Sequence, residues 1–237
     1  MDLKIFANTN LFEAGTVFFN QLNIPLNSNT TTPLHLKDIL KDKFKSQEIF
    51  EKVSATYFLG LVDKSVFDDN MSLFEDKKLS YEQAEKKIHA DYQGMMIFAV
   101  EIEGTASPTR TQLADLTRAF NRTSQSLPVV VLFQYGSLIT LATSERTKYK
   151  QTWREGEKVG KVSLLRDIDI QNPHTGHLKI LLDLVIKPGT RDFSGLYEQW
   201  MQVFDVQLLN RNFYKELSTW YFWALRKVEF PEDAEKN

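Results

Sequence analysis

The alternation of apolar and polar residues divides the chain into short runs, most of them with a recognisable period. Leu11, Phe12, Val17, Phe18 and Leu22 recur at helical spacing behind Asn10, whose side chain suits a helix cap, so the pattern predicts a helix over 11–22. Pro25 and the tract NSNTTT close it, and Pro33 opens a second helical segment, LHLKDILKDKF. Residues 53–63, VSATYFLGLVD, are rich in β-branched and aromatic side chains and read as a strand, with Gly60 marking a bulge or a close backbone approach. Residues 64–80 are polar and irregular, and a helical stretch, YEQAEKKIHA, starts behind Ser80.

The densest apolar pattern lies in 92–146. Residues 95–102 are apolar almost without interruption, as expected of a strand buried on both faces, which calls for a sheet with helices on each side. After Pro108 the period changes: Leu113, Leu116, Thr117 and Phe120 fall three and four apart on an amphipathic helix. Pro128 introduces VVVLF, a central strand, and Gly136-Ser137 turns the chain into LITLA, its antiparallel neighbour. Residues 158–169 read as an edge strand and 174–186 as a helix ended by Pro188-Gly189. Beyond Phe193 the character changes: residues 196–230, LYEQWMQVFDVQLLNRNFYKELSTWYFWALRKVEF, have no glycine or proline, and their aromatic residues recur at helical spacing; two helices meeting near 209–212 fit this pattern. The expected architecture is α/β (α+β): a mixed sheet flanked by helices over 1–190, then a helical extension over 191–237.

Composition narrows the function classes. The net charge of −2 gives no bulk attraction to nucleic acid, so any such contact must come from a local basic face. Cysteine is absent, which removes disulfides, thiolate catalysis and cysteine-ligated zinc and fits a reducing compartment. The amino terminus, MDLKIFANTN, lacks the apolar core of a signal peptide, and no run reaches membrane-spanning length, so a cytoplasmic location is expected. No GK[ST] phosphate loop, GxSxG, HExxH or GxGxxG occurs.

Three groups of residues could carry chemistry. Asp63 ends one strand, and Glu101 and Glu103 end another, two apart and therefore projecting together. Either both glutamates face water, or a hard divalent cation lies between them with Asp63 as a further oxygen ligand. Arg110, Arg118 and Arg122, with Asn121, follow on the next helix; their spacing suits successive phosphates, or a solvated face with Asp115 as ion-pair partner. Residues 144–166 hold seven Lys or Arg against three Glu, including Lys148, Lys150 and Arg154, with Tyr149 and Trp153 available to stack. A charged hairpin without a ligand accounts for the same stretch. His174 and His177 fit a helix cap better than a metal site, which would need a carboxylate to join them.

The runs TRTQLADLTRAFNR, LPVVVLFQYGSLITLATSER, KVSLLRDIDIQNPHTGHLKILLDL and LYEQWMQVFDVQLLNRNFYKELSTWYFWA resemble the region preceding the methylase domain in fused type II restriction–modification proteins with adenine-specific methyltransferases. The resemblance covers roughly 95–230, and VFDVQLLNRNFYKELSTWYFWA is its most distinctive part. It implies an amino-terminal, restriction-endonuclease-like domain acting on double-stranded DNA. The methyltransferase, with its S-adenosylmethionine, and the target-recognition domain would lie downstream in the same polypeptide. Such nucleases place an aspartate on one strand and Glu-x-Lys on the next. Asp63 and Glu101 would match as Mg²⁺ ligands and catalytic residues, but Glu103 stands where the lysine belongs and cannot supply its positive charge. The resemblance therefore leaves a Mg²⁺-dependent endonuclease and a noncatalytic DNA-binding scaffold, beside an unrelated soluble interaction domain. Proximity of Asp63 to Glu101 favours the first; their separation beside a basic contact surface favours the second.

Overall fold

The computed structural model describes residues 1–67, 78–87, 93–104, 106–124, 127–148 and 157–227. The chain opens with α1 (Ile5–Asn8) and α2 (Leu11–Gln21); Asn10 caps α2, its Oδ1 accepting from the Glu13 amide at 2.9 Å. The next helix, α3 (Leu36–Leu40), is shorter than its sequence pattern suggests. At Lys41 the backbone swings to φ +49°, and a 3-10 turn over Lys41–Lys43 replaces the continuing helix. Then follow α4 (Glu48–Glu51), β1 (Val53–Asp63), α5 (Tyr81–Lys87), β2 (Gly94–Ile102), α6 (Arg110–Thr123), β3 (Val129–Tyr135), β4 (Leu138–Lys148) and β5 (Glu157–Asp169). Helices α7 (Thr175–Asp183), α8 (Phe193–Val203) and α9 (Val206–Lys227) complete the order.

The strands form one mixed five-stranded sheet in the order β1-β2-β3-β4-β5. Only β2 and β3 run parallel, because α6 carries the chain back between them; the other neighbours are antiparallel. The continuous apolar run of β2 is explained by burial on both faces. Met95, Ile97 and Ala99 enter one core with α2, α7 and α8, whereas Met96, Phe98, Val100 and Ile102 enter the other with α3, α5 and α6. A mixed sheet flanked by helices is thus present, as the pattern predicts.

Gly60 lies at the expected bulge. The register of β1 on β2 slips between Phe58 and Gly60, so Phe58 and Leu61 share one core while Leu59 and Val62 share the other. Asn27 seals the gap: its Oδ1 accepts from the Leu61 amide at 2.9 Å, and a Cβ on Gly60 would lie 2.8 Å from that same oxygen. The outer edge of β1 is further occupied by the preceding loop, through Ser28 N to Leu59 O at 3.3 Å and Leu34 N to Thr56 O at 2.7 Å.

The first compact unit runs from Met1 to Phe204, and the second begins at Asp205. The expected boundary at 190 therefore falls inside the first unit, because α8 belongs to the sheet core. Trp200 is fully buried, stacks on Phe19 and donates from Nε1 to Leu184 O at 3.0 Å. The break between the last two helices also lies at Phe204-Asp205 rather than near 209–212. Phe204 is buried with Trp200, and Asp205 is a residue type that favours helix starts over helix interiors. In the second unit, α9 carries Trp220, Tyr221, Phe222 and Trp223, each more than half exposed.

Candidate nucleic-acid interface

The carboxylates do not converge. Because β1 and β2 are antiparallel, Asp63 sits opposite Gly94 and Glu101 opposite Ala55, at the two ends of the strand pair. Gly94 and Glu101 are seven residues apart on β2, about 23 Å at the strand rise. The alternation set by Leu61 and Ala99 also puts Asp63 and Glu101 on opposite faces of the sheet. A cation held jointly by Asp63 and Glu101 is excluded by this geometry. Glu101 and Glu103 are both exposed, so of the two sequence readings the water-facing one describes them. Glu103 lies just past the strand, its amide donating to Lys52 O at 2.9 Å. Glu101 is felt by Tyr57, whose phenol is raised above its ordinary value first by burial and then by that carboxylate. Among the described residues, no three His, Cys, Asp or Glu side chains form a group able to hold a metal ion.

The α6 residues separate into different tasks. Thr109 and Gln112 form a reciprocal capping box at the helix start. Asn121 is fully buried: its Nδ2 donates to Thr117 O and Val129 O, and its Oδ1 accepts from the Val129 amide at 2.9 Å. It ties α6 to the start of β3 and is removed from any DNA-facing surface. Arg118 pairs with Asp115 at 3.1 Å, the partner foreseen for a solvated face. Arg110 and Arg122 are exposed.

The basic stretch belongs largely to a two-stranded ribbon. β3 begins only at Val129, where Thr143 Oγ1 reaches its carbonyl, so beyond Ser144 the strand β4 has β5 as its sole described neighbour. The outer pairs are Arg146 with Val159, Thr147 with Lys158 and Lys148 with Glu157. Tyr149, Lys150, Trp153 and Arg154 lie outside the described residues.

Arg166, also from this basic stretch, serves the sheet rather than a ligand. Its Nη2 donates to Pro108 O at 3.1 Å and pairs with Asp167, which itself sits at φ +57°. Asp167 accepts from Tyr135 OH at 2.7 Å, and its amide donates to Thr140 Oγ1. Burial foremost, and then Asp167 against an opposing hydrogen bond from Thr140, leaves the Tyr135 phenol pushed up to about 12. His174 caps α7, its Nδ1 accepting from the Gly176 amide at 3.0 Å, in line with the capping reading. No sequence signal announced the Tyr135–Thr140–Asp167 cluster, since its members become neighbours only through strand register.

No helix among the described residues is long and apolar enough to cross a membrane. Comparison with protein-family models, with curated proteins and with solved structures finds no match to this chain.

Proposed function

We propose that this chain is a noncatalytic DNA-contacting module in which the β4–β5 ribbon lies against the duplex. The observation that carries the reading is the ribbon itself: two antiparallel strands leave the sheet beyond Ser144, and their described residues hold Arg146, Lys148, Lys158 and Lys161 against Glu145 and Glu157. A two-stranded ribbon matches the width of the major groove, and its cations displace counterions from phosphates. A protein of net charge −2 needs such local concentration to engage DNA at all. The distance between Asp63 and Glu101 supports the scaffold over the nuclease, because the carboxylate pair expected to hold Mg²⁺ is not assembled. The resemblance to fused restriction–modification proteins supplies a purpose, namely holding the duplex for a methyltransferase in the same polypeptide.

Fluorescence anisotropy with a labelled duplex at several salt concentrations tests this on the full chain. Affinity should fall steeply with salt, and Lys158→Glu with Lys161→Glu should weaken binding at low salt and flatten the slope by about 1 per lost phosphate contact. Binding indifferent to salt and to those substitutions would remove the ribbon from the interface. Mg²⁺-dependent cleavage abolished by Glu101→Ala would reinstate the nuclease.

A further inference from the structure

Helix α9 carries an apolar stripe along its second half. Tyr214, Leu217, Tyr221 and Leu225 fall three and four apart, and Trp220 stands beside Leu217 on the same side of the helix. These five side chains are 44 to 63% exposed, and Phe222 and Trp223, each more than half exposed, flank the stripe on its two sides. Lys215, Thr219 and Arg226 lie on the far side, where Thr219 Oγ1 donates to Lys215 O at 2.9 Å. No charged residue falls on the stripe between Tyr214 and Leu225.

The size of this surface sets it apart from scattered exposed apolar residues. At roughly 200 Å² per large side chain, the exposed parts of the five amount to about 550 Å², and the two flanking rings raise this to about 750 Å². Monomeric proteins rarely expose a contiguous apolar patch of more than a few hundred Å². A stable complex buries about 800 Å² on each partner, so this one helix supplies nearly the whole area that a dimer needs. Its tryptophans and tyrosines are also the residue types that dominate binding energy at interface centres.

We propose that α9 pairs in antiparallel fashion with the α9 of a second copy of this chain, along the stripe from Tyr214 to Leu225. A two-fold pair brings one surface against itself. Here an uncharged stripe meets an uncharged stripe, and no charge is buried unpaired. Tyr214 and Leu225 lie along the same edge of the stripe, so the antiparallel order sets Tyr214 of one copy beside Leu225 of the other. It also holds the basic last turns, Arg226 and Lys227, at opposite ends of the pair, whereas a parallel order would set these cations side by side. A lipid surface is the poorer fit. Helices that lie in lipid carry a strongly charged face, and the far side of this stripe offers two cations and a hydroxyl. The pairing is independent of the ribbon, and neither reading needs the other.

Sedimentation equilibrium of the full chain at about 50 μM should give twice the mass of one chain. Leu217→Glu combined with Tyr221→Glu should restore the single-chain mass and leave circular dichroism unchanged, because both side chains are exposed within one chain. Thr219→Glu, on the far side, should leave the mass doubled. The sequence contains no cysteine, so introduced ones report the direction of pairing. Under mild oxidation, an equimolar mixture of Tyr214→Cys and Leu225→Cys chains should form disulfide-linked dimers. Neither variant alone should do so, since its two thiols would stand eleven residues, about 16 Å, apart along the pair. A single-chain mass at that concentration overturns the proposal, as does a doubled mass that survives the two glutamates or is lost with Thr219→Glu. Efficient linkage of Tyr214→Cys alone overturns the antiparallel order. A single chain that floats with phosphatidylglycerol vesicles overturns the pairing and assigns the stripe to lipid.

Discussion

Asn121 exchanges three hydrogen bonds with the backbone at the α6–β3 junction from a position without solvent exposure. Replacing it by leucine keeps the branched shape but strands the Val129 amide, since Val129 O retains Thr143 Oγ1 and Thr117 O its place in the helix, which should lower stability by about 1–3 kcal/mol in urea titration. DNA affinity per folded molecule should not change; a selective loss of DNA binding at full stability would return Asn121 to the interface. The same residue shows why polar groups on an amphipathic helix are hard to assign from sequence. Asn121 lies between Arg118 and Arg122 in the chain, yet helix rotation turns it into the core. A second expectation concerns pH. Burial, and then His174, lower the His177 pKa from its usual 6.5, outweighing the opposing pull of Asp167. The folded protein therefore binds fewer protons here than the unfolded chain. This contribution to stability is complete above about pH 6.5 and is lost as pH falls toward the lower folded value. Thermal melts between pH 7.5 and 5.5 should show a decline that His177→Gln reduces; equal slopes for both proteins would remove the assignment.

The inner strands were legible because β1, β2 and β3 are apolar over the length that burial on one or two faces demands, and β1 begins and ends where its composition does. The bulge at Gly60 was legible too, and its energetic role follows from the approach of Asn27. Gly60→Ala should cost about 1–3 kcal/mol, since the new Cβ would meet both the Asn27 side-chain oxygen and its backbone nitrogen, 2.9 Å away. Asn27→Ala should cost a comparable amount by stranding the Leu61 amide. Unfolding midpoints for the two variants and their combination would reveal the coupling, the double variant losing less than the sum. Strand direction was not legible. Asp63 and Glu101 each stand at the end of a strand in the sequence, but which ends coincide depends on the connection over 64–93, where no apolar period specifies the route. An antiparallel pair sends the two carboxylates apart. The helix break after Phe204 escaped for a related reason: no glycine or proline marks it, and only the burial of Trp200 and Phe204 in the first unit fixes where α8 stops.

At the scale of the molecule, residues 1–204 contain both hydrophobic cores and all five described strands, so they should fold alone. Truncation after Phe204 should leave the midpoint of thermal unfolding within about 5 °C of the full chain, as expected if little stability is lost. Near-ultraviolet dichroism should retain the signal of Trp200 against Phe19. A drop of more than about 10 °C would mean the remaining residues contribute to those cores. The two borders of the sheet bear on solubility. At β1 the loop carrying Asn27, Ser28 and Leu34 occupies backbone groups that another strand could otherwise pair with. At β5, charges of both signs mark the strand, Lys158, Lys161 and Arg166 against Glu157, Asp167 and Asp169, and Asp167 twists its backbone out of the extended form. One border is thus closed by covalent continuity with the preceding loop, and the other is guarded by charged side chains and curvature. Neither offers the flat, apolar margin from which intermolecular sheets grow, so the contacts that hold the fold together at these borders also protect a concentrated solution of this protein against fibril-like self-association.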